Sequence, residues 1–301
     1  MTWTLTDSLD EFRAHAGDYL AAHPAENTVL LTIVSNLAGG GTAGGDPSRR
    51  PRFGWWRASE DAPVAGAWAQ TPPFPLRLGR MPVEAARELL DALTEHRELA
   101  GVSGGVVEAR AFAEAWAERT GGTVEIHEEQ RLYRLGELTP PATAGRLRPA
   151  RPADRELLID WFGDFFAVVG VQPHDVESIV AHRAARGDLH IWEDEAGRAV
   201  SFAGLSQVTA GMTRIGPVYT PPELRGNGYA SAVTAAISAV GCERGASEVL
   251  LFTDLANPTS NSIYQKIGFR PLGDSVILNF TADPARTATP TVSPALSPSP
   301  S

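Results

Sequence analysis

The segment Ile215-Gly216-Pro217-Val218-Tyr219-Thr220-Pro221-Pro222-Glu223-Leu224-Arg225-Gly226-Asn227-Gly228-Tyr229-Ala230 joins an apolar strand to a helix through a proline-broken turn and a glycine-rich loop. Such a junction suits an anion. The first turn of a helix presents backbone N–H groups without intrahelical partners and lies at the positive end of the helix dipole. A phosphate placed there meets donors that are already oriented. Gly226 and Gly228 let the backbone approach it closely, and Arg225 supplies a planar, permanently charged partner. A phosphorylated ligand is the chemistry this stretch predicts.

Other chemistry-bearing residues are weaker. Gly101-Val102-Ser103-Gly104-Gly105 matches the G-x-S-x-G pattern of a hydrolase nucleophile elbow. The elbow needs a buried strand leading into the serine, whereas Thr94-Glu95-His96-Arg97-Glu98 is polar and helix-like, so the match is formal. His174, His182 and His190 lack ligand spacing, and no metal is expected. Glu193-Asp194-Glu195 reads as the solvated end of a hairpin, with a carboxylate still able to reach a substrate amine. The glycines between Leu37 and Arg50 are followed by neither a Lys-Ser or Lys-Thr pair nor a helix pattern, so that stretch reads as a surface loop. Cys242, the only cysteine among 301 residues, excludes an intrachain disulfide and falls inside a helix pattern, where a packed or half-buried thiol is expected.

Composition sets the class. A formal net charge of -10 disfavours nucleic acid and anionic membranes as partners. No apolar stretch is long enough to span a bilayer and no signal-peptide pattern appears, so a cytoplasmic location is the expectation. The chain length favours two domains, and Thr139-Pro140-Pro141-Ala142-Thr143-Ala144-Gly145 is a linker by composition. The expected organisation is an α/β domain over 1–138, a linker over 139–145, a second domain over 146–281 and a disordered Pro/Ser/Thr-rich tail over 282–301.

The elements that position the loop follow from periodicity. In the first half the pattern predicts a helix over Leu9 to Leu20, a strand over Thr28 to Val34, a hairpin of Arg52 to Ala58 with Val64 to Gln70, and a short strand at Leu76 to Leu78. A helix from Pro82, another around Phe112 and Trp116, and one long strand or a pair from Thr123 to Leu135 complete it. The second half restarts with a short strand at Arg146 to Ala150 and an aromatic-rich helix from Asp154 through Trp161 and Phe166. Blander than a pocket lining, that broad aromatic face fits a core. A helix over Asp175 to Ala185 and three antiparallel strands, Leu189 to Glu193, Ala199 to Thr209 and Met212 to Tyr219, lead into the glycine loop. After the loop helix come a buried strand at Glu248 to Thr253, a short helix from Asn257, and a closing strand or hairpin from Arg270 to Phe280.

Two motifs in this order resemble the GNAT superfamily of acyl-CoA-dependent N-acyltransferases. Arg225-x-x-Gly228-x-Ala230 is similar to its pyrophosphate signature between strand and helix. Asn257, followed seven residues on by Tyr264 and then Gly268-Phe269, resembles its late helix. The resemblance covers about Arg146 to Phe280. It implies a mixed α/β (α+β) fold, with a mostly antiparallel sheet flanked by helices, and acetyl-CoA as co-substrate. It places the coenzyme against Val218, Tyr219, Arg225, Gly226, Asn227, Gly228, Tyr229, Ala230 and Asn257, with Tyr264 as the acid that protonates the leaving thiolate and the Val218 N–H as an oxyanion donor. The base is open among Glu193, Glu223, Asp254 and a water. The first half reads as a second, degenerate copy of the same fold, giving two such domains in tandem.

The implied reaction is acetyl transfer to a primary amine of a small molecule or peptide, by direct attack on the thioester. The rival readings are a non-catalytic acyl-CoA-binding or sensory protein and a serine hydrolase using Ser103. Acceptor identity and oligomeric state, a homodimer included, stay open. The acidic net charge favours a cationic amine.

Overall fold

The computed structural model describes residues 2–39, 50–93, 99–169 and 175–283. The first half runs β1 (Thr2–Thr6), α1 (Leu9–Ala22), α2 (Thr28–Ala38), β2 (Arg52–Arg57), β3 (Val64–Gln70), β4 (Leu76–Leu78), α3 (Val83–Ala92), β5 (Gly101–Gly105), α4 (Val106–Thr120) and β6 (Thr123–Leu135). The second runs β7 (Arg146–Pro149), α5 (Arg155–Val168), α6 (Val176–Ala185), β8 (Leu189–Glu193), β9 (Ala199–Leu205), β10 (Met212–Tyr219), α7 (Tyr229–Glu243), β11 (Glu248–Asp254), α8 (Pro258–Lys266) and β12 (Phe269–Thr281). The same order of elements is thus written twice in the chain.

All of these strands belong to one 12-stranded sheet of order β1-β2-β3-β4-β5-β12-β6-β11-β10-β9-β8-β7. The halves trade their last strands: β12 lies between β5 and β6, and β6 lies between β12 and β11. β4 with β5 and β10 with β11 are parallel, and the other pairs are antiparallel. Arg131 of β6 clamps Asp274 of β12 with Nε and Nη2 at 2.7 and 2.9 Å, a bidentate pair across the exchange.

Helices cover both faces, because strands apolar on both sides need a layer above and below. α3 and α4 pack on the first half of the sheet with Val276 and Leu278 of β12 in their core. α7 and α8 pack on the second half with Tyr133 of β6 in theirs. α1 and α2 enclose Met212 and Leu250 of the second half together with Phe53 and Trp55 of the first. α5 and α6 bury Trp161 and Phe162 against Ile191, Phe202 and Tyr219, so the aromatic helix faces a core.

Several expectations change. Thr28 to Val34 is the start of helix α2 rather than a strand. Its β-branched residues suggest extension, but the segment is buried among α1, β3 and β10 and needs no polar stripe. β1, an edge strand pairing with β2, adds an element at the start. Thr123 to Leu135 and Phe269 to Thr281 are single strands, because each is paired on both sides. Cys242 is exposed, since Gly241 beside it takes the inward face of α7 against Thr213 and Val249. The glycine-rich stretch after Gly39, Thr94 to Glu98, His174 and the tail from 284 onward lie outside the described residues. No described helix is long and apolar enough to cross a membrane.

Candidate active site

β10 and β11 begin as a parallel pair, with Met212 opposite Glu248 and Ile215 opposite Leu251, and the pairing then stops. β10 continues to Tyr219 on the β9 side, with an irregularity between Ile215 and Val218 where Gly216 and Pro217 interrupt the ladder. β11 continues to Asp254 on the β6 side. The two strands therefore part beyond Ile215. Pro217 contributes directly, because it has no N–H to donate to a ladder. The backbone exposed by such a separation is a slot into which an extended amide-bearing chain can dock by strand-like hydrogen bonds.

The slot leads to the glycine loop. A short 3-10 turn at Pro222–Leu224 is followed by Arg225, Gly226, Asn227 and Gly228, and α7 starts at Tyr229. Arg225 Nε donates to the Thr220 carbonyl at 3.1 Å and Asn227 Nδ2 to the Leu224 carbonyl at 3.0 Å, so two side chains of the loop fix its own backbone. Gly226 and Gly228 have φ of 82° and 79°, a region that disfavours any side chain. A Cβ on Gly228 would also stand 2.8 Å from the hydroxyl of Thr143, which the linker lays across the start of α7. The N-terminus of α7 has no side-chain cap and no acid in its first turn, unlike α1, α6 and α8, which Ser8, Asp175 and Asn257 cap. Arg225 through Gly228 are exposed. The unpaired N–H groups of α7 therefore face an open, glycine-lined cradle, which fits a pyrophosphate.

The remaining sequence-derived residues divide. Tyr264 is buried on α8, edge-on to Phe269 with ring centroids 6.2 Å apart. Burial pushes its hydroxyl up to about 12, against a weaker downward pull from a hydrogen bond with Ser260. It stays protonated at neutral pH and can act as a donor. Asn257 Oδ1 accepts from Ser260 N at 3.0 Å, so part of this side chain is committed to starting α8. Val218 and Tyr219 occupy the parted end of β10. The Tyr219 hydroxyl donates to Asp164 Oδ2 at 2.9 Å, and burial followed by that bond pushes it up to about 12.

Glu193 does not fit the role of base. Its Oε2 accepts from Arg146 Nε and Nη2 at 3.1 and 2.9 Å, and its Oε1 from Arg148 Nε at 2.5 Å. Arg148 first, then Arg146, hold this carboxyl below its ordinary range. Arg148 also binds Asp154 with both Nη atoms. The group is a structural ion-pair hub at the β7–β8 edge, with both oxygens occupied.

Ser103 sits in mid-strand on β5 opposite Ile277, not at a turn into a helix. The glycines around it serve close strand packing: a Cβ on Gly101 would come within 2.2 Å of the Leu278 carbonyl. His182 lies on α6 and His190 on β8. Among the described residues no group of three or more His, Cys, Asp and Glu side chains converges as a metal site would require. A cavity of about 690 Å³ lies beside α8, lined by Asn261, Ser262 and Gln265 and bordered by Arg131, Lys266 and Arg270; Tyr264 does not line it.

The sequence reading passed over Asp164 and three arginines, Arg77, Arg183 and Arg214. They come from four different elements, and no local spacing signals them.

Comparisons with known proteins bear on the fold. The family described as FR47-like protein matches residues 200–277, which contain the slot, the glycine loop and α8. No curated protein matches the chain. Among solved structures, a GCN5-related N-acetyltransferase from Sphaerobacter thermophilus aligns with a TM-score of 0.60 at 15% identity, over 93% of this chain and 95% of that one. A GNAT-family acetyltransferase from Colwellia psychrerythraea aligns with a TM-score of 0.57 at 13% identity, over 94% and 100%. A tandem GNAT protein from the clavulanic acid biosynthesis pathway aligns with a TM-score of 0.54 at 13% identity, over 93% and 98%. At these identities the likeness shows the fold: a GNAT fold in tandem over almost the whole chain.

Proposed function

We propose that the protein is an acetyl-CoA-dependent N-acetyltransferase whose second half binds the coenzyme and carries the reaction. The observation that carries this reading is the parting of β10 from β11 beyond Ile215, directly upstream of the uncapped, glycine-lined start of α7. The names of the solved structures with this fold support acetyl transfer as the chemistry.

On this reading the α7 N-terminus, with Arg225, Gly226, Asn227, Gly228, Tyr229 and Ala230, holds the pyrophosphate, and the free edge of Val218 and Tyr219 pairs with the amide-bearing arm. Asn257 contributes through the part of its side chain not used in capping. The acceptor amine attacks the thioester carbonyl, whose oxygen gains charge and is met by the Val218 N–H. The nitrogen loses its proton to water or to Asp254 at the end of β11. As the tetrahedral intermediate collapses, the C–S bond breaks and the Tyr264 hydroxyl gives its proton to the departing thiolate.

Thiol release from acetyl-CoA in the presence of an amine panel, together with calorimetric titration of acetyl-CoA, tests the reading. Saturable binding and amine-dependent release are expected. Binding without release from any amine would instead favour a coenzyme-binding sensor, and release that depends on Ser103 but not on Gly228 would favour a hydrolase.

A further inference from the structure

The registers place Arg77 and Arg214 on one face of the sheet. Arg77 is opposite Ser103, Gly105 is opposite Ser275, Ser275 opposite Gln130, Gln130 opposite Asp254, and Leu250 opposite Arg214. Partners share a face, and so do residues two apart. In a flat sheet Arg77 on β4 and Phe252 on β11 would be about 19 Å apart at the usual strand spacing. The Arg77 guanidinium lies 5.8 Å from the Phe252 ring centroid, so the two side chains lean toward one another across this face. Helices of both halves roof it: Thr28 of α2 meets Met212 of β10, and Arg183 of α6 donates to the Gly216 carbonyl at 2.7 Å, where β10 and β11 part.

Arg77, Arg183 and Arg214 thus converge on the slot from β4, α6 and β10. None forms an ion pair among the described residues. Arg77 has Ser275 Oγ at 3.3 Å, and Arg214 Nη1 is buried without any partner. Two carboxylates share this face of β11: Glu248 holds Arg134 through Oε1 at 3.1 Å while its Oε2 has no partner, and Asp254 Oδ1 accepts from the Ala256 N–H at 2.8 Å. Glu108 and Asp188 act on Arg77 and Arg183 only at a distance. Burial, and for Arg214 the nearby charges of Arg77 and Arg183, lowers each guanidinium to about 10, which leaves all three cationic at neutral pH. Yet all three remain half-buried rather than sealed, so part of each side chain stays within reach of a ligand. Unpaired buried charge is costly to a fold, and a cluster of it beside a reaction slot points to an anionic ligand.

We propose that the amine acceptor carries an anionic group, a carboxylate or a phosphate, close to its amine, and that Arg214 with Arg77 and Arg183 binds that group. This rests on the acetyltransferase reading and reverses the cationic acceptor favoured by net charge. The test uses the full chain and thiol release from acetyl-CoA with matched acceptors: α-amino acids against their amides, and phosphoethanolamine against ethanolamine. The charged member should be favoured by about tenfold or more in kcat/KM, and the two series separate carboxylate from phosphate. Arg214→Met should raise KM for that member about tenfold with little change in kcat and none in acetyl-CoA affinity. It should also raise Tm, whereas a merely structural arginine would lower it. Equal or better use of the neutral members, or an unchanged KM in Arg214→Met, overturns the proposal. If no amine is acetylated, calorimetry with N-acetylglycine and N-acetylglycinamide decides separately. Binding of the acid alone, lost in Arg214→Met, upholds the anion site while the acetyltransferase reading falls. Equal binding of both, or of neither, overturns the anion site itself.

Discussion

The two halves repeat one order of elements, yet the loops at matching places differ in what fills them. After β10 the chain takes Thr220 to Gly228 to reach α7, leaving an exposed cradle; after β4 it takes only Gly79 to Pro82 to reach α3. That shorter loop is plugged from above by α1 and the turn before α2. The backbone N–H of Arg80 donates to Asn27 Oδ1 at 3.0 Å, the Tyr19 hydroxyl donates to the Arg80 carbonyl at 2.5 Å, and the Arg80 guanidinium rests on His23. Met81 is buried. A Cβ on Gly104 of β5 would stand 3.1 Å from Leu78 Cβ of β4, so that parallel pair is closely packed. A fold that can open a slot keeps it only where loop length and glycines leave room for a ligand. Elsewhere the same architecture closes on its own side chains and becomes a wall for its neighbour.

The contrast can be broken from either side. Gly228→Glu puts a side chain where Thr143 already stands and a negative charge where phosphate is expected, so acetyl-CoA affinity should fall by more than about 100-fold, or about 2.7 kcal/mol, with folding intact by circular dichroism. Calorimetric titration reads this directly. Tyr264→Phe should lower kcat by about 100-fold, the lower range for loss of a general acid, with acetyl-CoA binding preserved. A turnover in that variant equal to that of the unsubstituted protein at both neutral and alkaline pH would remove Tyr264 from the chemistry.

On the plugged side, Asn27→Ala strips the Arg80 N–H of its acceptor and should cost about 1–3 kcal/mol in urea denaturation without altering coenzyme affinity. A gain of a second coenzyme equivalent would show that the plug alone closes the first half. The effect smallest at neutral pH concerns His190 on β8, whose counterpart strand β2 holds no histidine. Burial, and then Arg244, lower this imidazole to about 4 from an ordinary 6.5. The unfolded chain takes up a proton that the folded chain refuses, so stability should fall as pH drops from about 6.5 toward 4 and be flat in this respect above it. His190→Asn should flatten that slope in pH-dependent thermal melts.

Local signals carried much of this architecture. Gly121 ends α4 in the left-handed conformation that sequence expects of a helix C-cap, and Asn257 with Pro258 starts α8. The glycine loop was legible because its geometry resides in consecutive residues. What stayed hidden is non-local. The helix α2 is buried on several sides, and such a segment loses the polar stripe by which a helix is recognised. Nothing in Thr123 to Leu135 says that its neighbours are β11 and β12 rather than β5. Glu193 looked available because the arginines that occupy it, Arg146 and Arg148, stand more than forty residues earlier in the chain. The arginine cluster depends on which strands of the two halves lie side by side, which no single strand encodes.

The exchange of β6 and β12 also sets a timetable. During synthesis β5 and β6 leave the ribosome well before β12, yet β12 fills the space between them. Ser275 of β12 reaches back 171 residues to donate to the Gly104 carbonyl. Until that strand arrives, the first half holds two unpaired strand edges, the kind of surface that recruits strands from other chains. The nascent protein therefore passes through a long interval in which its first half cannot close, and the arrival of Phe269–Thr281 completes both halves in one event.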